Sequence, residues 1–67
     1  MRIRTNSVWR HHTGRMYRVV AVANQHSNDP DKYPIMITYV DVNGRYWAKD
    51  VTRFLNSMTE AGDTTDV

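Results

Sequence analysis

The chain has 67 residues, no cysteine and a formal net charge of +2, with nine Lys and Arg against seven Asp and Glu. That length holds one domain at most, and the missing thiols exclude both a disulfide framework and thiolate-bound zinc. No apolar run approaches the ~20 residues that cross a bilayer, and Met1-Arg2-Ile3-Arg4 leads into no signal-peptide apolar segment, so a cytoplasmic protein without a membrane partner is expected.

The modest net charge conceals an asymmetry. All nine basic residues lie in residues 1–53, whereas Glu60, Asp63 and Asp66 sit near the end, so residues 1–58 carry a net +5. Such a balance favours anionic partners. Single cores at this length rarely supply more than ~3–5 kcal/mol, which keeps a homo-oligomer in view.

Residues 1–6 read as a basic arm or a fraying first strand. Ser7–His11 is a short strand, Thr13-Gly14 a turn, and Met16–Ala23 the strongest strand in the chain. Alternation places Tyr17, Val19, Ala21 and Ala23 on one face of it and Met16, Arg18, Val20 and Val22 on the other. Residues 24–34 hold two prolines and a run of Asn, Asp and Ser, which predicts a long loop and a candidate ligand wall. Ile35–Val42 is the third strand. Asn43-Gly44 follows, a hairpin signal because both residues tolerate positive φ, and Arg45–Lys49 returns as the fourth strand.

Val51, Phe54, Leu55 and Met58 then recur at helical spacing behind Asp50, a candidate N-cap. A competing reading takes 51–53 as one 3₁₀ turn and Phe54–Met58 as a last strand. The expected fold is mostly β, a small SH3-like barrel of four or five strands with a short helix or 3₁₀ turn near the C-terminus. Its single domain spans 1–58, and the polar composition of 59–67 predicts a disordered tail.

The run Trp9-Arg10-His11-x-x-Gly14-x-x-Tyr17-x-Val19, followed by Ala23 and His26-Ser27, resembles the opening of the bacterial and phage DUF1653 family. Trp47-Ala48-Lys49 and Val51-x-x-Phe54 are similar to that family's ending, so the resemblance covers roughly residues 8–55. Asp50 stands where the family usually has proline, the 24–34 loop is longer, and Asn28-Asp29 replaces an acidic step. The resemblance implies an SH3-like barrel and marks Arg10, His11, Gly14, Tyr17, His26 and Trp47 as family-like positions. It brings no catalytic residues.

Arg10, Arg15, Arg18, Arg45, Lys49 and Arg53, interleaved with Trp9, Tyr17, Tyr46 and Trp47, suit a nucleic-acid surface, where cations meet phosphates and rings stack on bases. Equally, scattered arginines solubilise a small barrel whose aromatics form the core. Adjacent strand residues point to opposite faces, so His11 and His12 are not expected to share an ion, and no metal site is expected even with His26 and Asp29 or Asp31 nearby. A pocket in which His11 and His26 converge beside Arg10 would suit a phosphate-bearing ligand.

Catalysis finds little support. There is no Cys nucleophile and no Gly-x-Ser-x-Gly elbow, and Gly14, Gly44 and Gly62 are too dispersed to cradle a phosphate. The expectation is a non-enzymatic binding module without cofactor or metal. Its partner is nucleic acid or a nucleotide, held by Trp9, Arg10, His11, Arg15, Arg18, His26 and Trp47. The alternative is a protein-interaction module using the Tyr46-Trp47 edge, since Trp, Tyr and Arg dominate interfaces. Were the chain phage-encoded like some DUF1653 relatives, inhibition of a host protein or sequestration of a signalling nucleotide would fit.

Overall fold

A computed structural model describes residues 3–63, with the backbone alone at Asp63. The chain forms β1 (Ser7–His11), β2 (Met16–Ala23), β3 (Met36–Val40), β4 (Tyr46–Asp50), α1 (Val51–Ser57) and β5 (Met58–Asp63). All five strands belong to one antiparallel sheet in the order β4-β3-β2-β1-β5. The mostly β, barrel-like fold expected from the sequence is therefore present, with five strands and one short helix. No helix among the described residues is long and apolar enough to cross a membrane.

β2 organises the sheet. Its first half pairs with β1 through Trp9↔Tyr17 and Arg10↔Met16, while Arg18 to Ala23 pair with β3. Between Val19 and Ala21 the register slips by one residue. Such a bulge bends the strand and reverses its alternation. Tyr17 and Val19 face the core before the slip, and Val22 packs against it afterwards, opposite Ile37. Unbroken alternation had placed Val22 on the other face from Val19.

The core is Ile3, Trp9, Val19, Ile37, Tyr39, Phe54 and Met58. Edge-to-face ring contacts run through it, Trp9 to Phe54 at 5.1 Å, Phe54 to Tyr39 at 5.5 Å and Tyr39 to Tyr17 at 5.1 Å. Such pairs contribute about 0.5–1.5 kcal/mol each beyond the area they bury. Ile3 shows that the start of the chain is more than a basic arm, because this residue is buried.

Asp50 caps α1 by accepting from Arg53 N at 2.9 Å. Phe54 drops from the helix into the core, and Val51 N–H donates to Ile35 O. Both readings of the chain's end contribute, in altered form. Residues 51–57 are helix, and the last strand follows at 58–63 instead of occupying Phe54–Met58. Residues 59–63 of the expected tail are thus β5, paired to β1, while 64–67 lie outside the described residues.

Candidate ligand-binding cleft

Both β-hairpins are built alike. In the first, His11 N–H donates to Arg15 O and Gly14 N–H to His11 O; in the second, Asp41 N–H donates to Arg45 O and Gly44 N–H to Asp41 O. Gly14 and Gly44 take positive φ, 94° and 81°, where a Cβ would be strained. Asn43 does not, so this is a three-residue loop closed by one left-handed glycine, not the two-residue turn that Asn-Gly suggests. Each turn also carries a side-chain acceptor. His11 Nδ1 accepts from Thr13 N at 3.2 Å, and Asp41 Oδ1 accepts from Asn43 N at 2.9 Å and Arg45 N at 3.0 Å. The spacing acceptor-x-x-Gly-Arg therefore occurs twice, as His11-x-x-Gly14-Arg15 and Asp41-x-x-Gly44-Arg45.

The two turns meet at one end of the sheet around a cleft of about 590 Å³, lined among others by Arg15, Tyr17, Asp41, Arg45 and Trp47. Trp47 is 49% exposed. Its Nε1–H donates to Asp41 Oδ2 at 3.0 Å, which fixes the indole at the cleft wall. That bond, with the backbone N–H of Arg45 next in weight, holds the Asp41 carboxyl below its usual value of 3.8. Asp41 is the acid of this cleft, and both its oxygens are engaged by N–H groups of its own hairpin. The arginines and the indole are left to meet a ligand.

A second cleft, of about 460 Å³, lies on the sheet face opposite the core. The register sets Val8, Arg18, Val40 and Tyr46 side by side across four strands. Met16, Tyr17, Asp41 and Val42 line both clefts, so the two are contiguous. Met16, Val42, Tyr46 and Trp47 are four of the large hydrophobic side chains exposed among the described residues, and all four lie here. Clustering of this kind marks an interaction site more than scattered exposure does.

The seven residues expected to bind ligand divide. Arg15 and Trp47 share the first cleft and Arg18 lies in the adjoining one. Arg10 is exposed on the outer face opposite Met16. Trp9 is not a surface plate: it is 1% exposed, and its Nε1–H donates to the buried Ser7 Oγ at 2.9 Å. It lies in β1, flanked by β2 and β5, and the core covers its ring.

His11 and His26 do not converge. His11 lines a cavity with Arg10, His12 and Thr13, whereas His26 lines another with Val22, Asn24, Gln25, Ser27 and Tyr33. His11 precedes β2 and His26 follows it, at opposite ends of an eight-residue strand roughly 26 Å long. His11 and His12, in contrast, bring their rings within 4.0 Å, because His11 ends the strand and His12 already belongs to the turn. Among the described residues no group of three or more His, Cys, Asp or Glu is placed to hold a metal ion.

The six cations expected on one face are also divided. Lys49 instead reaches Ser57 Oγ at 3.2 Å, and Arg53 lies on α1. Sequence reasoning counts Arg45 only as one of six cations and misses Asp41 as a site residue, although the repeated acceptor-x-x-Gly-Arg spacing singles out both. No family model matches the chain, and comparison with curated proteins and with solved structures finds no match.

Proposed function

We propose that the protein is a non-enzymatic binding module for an anionic, base-bearing ligand, a nucleic acid or a nucleotide, taken up in the Trp47 cleft. The fixing of the Trp47 indole by Asp41, with Arg15 and Arg45 lining the same cleft, carries this reading. A held ring loses less freedom on stacking than a mobile one, and base–aromatic stacking contributes about 1–3 kcal/mol per base. Arg15 and Arg45 supply phosphate contacts, and Arg18 and Arg10 extend the positive surface along the outer face.

The test is a titration of labelled oligonucleotide at 50 and 200 mM salt. Three phosphate contacts to a single strand predict a loss of roughly 20-fold in affinity between those conditions. Trp47 fluorescence should quench on binding, and Arg15→Ala/Arg45→Ala should abolish the response. Salt-independent binding, or none at 50 mM, would overturn the reading.

One observation favours a second reading. β4 is an edge strand that exposes Tyr46 and Trp47, an arrangement suited to pairing with a strand of a partner protein. Binding of that kind would survive high salt and the double arginine substitution.

A further inference from the structure

We infer, building on the base-binding reading of the Trp47 cleft, that the ligand is a single strand several nucleotides long, and that Tyr46 provides a second stacking position on the other face of β4. Tyr46 and Trp47 are consecutive strand residues, so their rings point to opposite faces of the sheet. Tyr46 is 68% exposed. Each ring lines its own cleft, and Met16, Tyr17, Asp41 and Val42 join the two clefts into one groove around the β3–β4 hairpin.

Cations line both clefts, Arg15 and Arg45 that of Trp47 and Arg18 that of Tyr46, where Val40 stands between Arg18 and Tyr46 in the register and Arg18 Nη1 donates to Asn6 Oδ1 at 3.2 Å. A backbone that threads this groove meets positive charge on both sides of the turn. The acid lining both clefts is Asp41, whose oxygens already accept from Trp47, Asn43 and Arg45. A mononucleotide fills one cleft only. A duplex buries its base faces in its own stack and offers neither ring a partner, whereas an unpaired strand offers a face at each base.

The groove also shows Met16 and Val42 between the two rings. These apolar side chains suit the unstacked faces of bases and give no hydrogen bonds to their edges. The surface therefore reads stacking and charge, with little sequence preference.

The experiment measures the affinity of the full chain for thymidine 5′-monophosphate, for oligo(dT) of two, four and eight residues, and for a duplex of eight base pairs. Affinity should climb from the mononucleotide to the tetramer by roughly 5- to 150-fold, the contribution of one further stacked base. The duplex should bind more weakly than the single strand. Tyr46→Ala should remove most of the climb, and Tyr46→Phe should restore it, with the quench of Trp47 by the mononucleotide followed in parallel. Thermal melting of each variant confirms that it is folded.

Equal affinity for mononucleotide and octamer would overturn the inference while leaving the Trp47 cleft as a nucleotide site. So would a climb that Tyr46→Ala leaves intact, or a duplex that binds best. Absence of Trp47-dependent binding to every probe would instead overturn the base-binding reading itself, and the single-strand inference with it.

Discussion

The Asp41 carboxylate is the anchor of the Trp47 indole, accepting from its Nε1–H at 3.0 Å while its other oxygen holds the hairpin's own backbone. Asp41→Asn separates two effects that act in opposite directions. The amide removes a negative charge from a cleft meant for anions, which alone should tighten binding. It also cannot accept from Trp47 through its NH₂ group while its oxygen serves Asn43 and Arg45. We expect binding to weaken by about 5-fold, the lower end of one stacking contribution. Time-resolved anisotropy should show a more mobile indole. Tighter binding would mean that charge outweighs orientation at this site.

The two tryptophans should respond oppositely to substitution. Ser7→Ala leaves Trp9 Nε1–H buried without its acceptor, at a cost of about 1–3 kcal/mol. In a domain of this size that lowers Tm by roughly 5–20 °C. Ligand binding by the folded fraction should be unchanged. Trp47→Ala should do the reverse, keeping most of the stability while affinity for a labelled oligonucleotide, read by anisotropy of the label, falls by about 5-fold or more. Equal effects of both variants on stability would show that the exposed indole is part of the structural core.

Each tryptophan precedes a basic residue by one or two positions, and composition does not tell them apart. Strand order does. β1 lies between β2 and β5, so Trp9 is covered, whereas Trp47 lies on the edge strand β4. That order depends on β5, which the sequence conceals. Thr59, Glu60, Ala61 and Gly62 show no apolar alternation, because among the described side chains of β5 Met58 alone joins the core. The bulge at Val20 is equally silent, since β-branched residues continue on both sides of it. What does read directly are the limits of β1 and β2, punctuated by Gly14, and the cap of α1, where a carboxylate precedes residues at helical spacing.

Asp50→Ala tests that cap. Loss of an N-cap carboxylate costs about 0.5–2 kcal/mol, and Asn in its place should restore nearly all of it. The effect should appear as a lower urea midpoint with an unchanged slope. α1 joins β4 directly to β5, so its loosening should reach Lys49, whose Nζ donates to Ser57 Oγ. A changed slope would instead indicate that β5 detaches separately from the rest.

Acidification should weaken the fold through His11. Partial desolvation lowers its pKa from 6.5, and the charges of His12 in the turn, Lys49 from β4 and Arg15 beyond the turn act in the same direction. Tyr17 from β2 presents its ring edge-on at 6.4 Å. Nδ1 accepts from Thr13 N–H at 3.2 Å and lies 2.8 Å from Thr13 Oγ1, so the neutral ring carries its proton on Nε2; protonation sets a second donor against Thr13 N–H and leaves Oγ1 alone to accept it. A histidine depressed in the folded state leaves the unfolded chain with more protons between the folded value and 6.5. Stability therefore rises with pH through that window, is complete above 6.5, and is lost as pH falls toward the folded value. Tm should drop between pH 7.5 and 5.5, and His11→Asn, whose side-chain oxygen can still accept from Thr13 N–H, should flatten that slope. A slope that persists in His11→Asn would assign the pH dependence to another group.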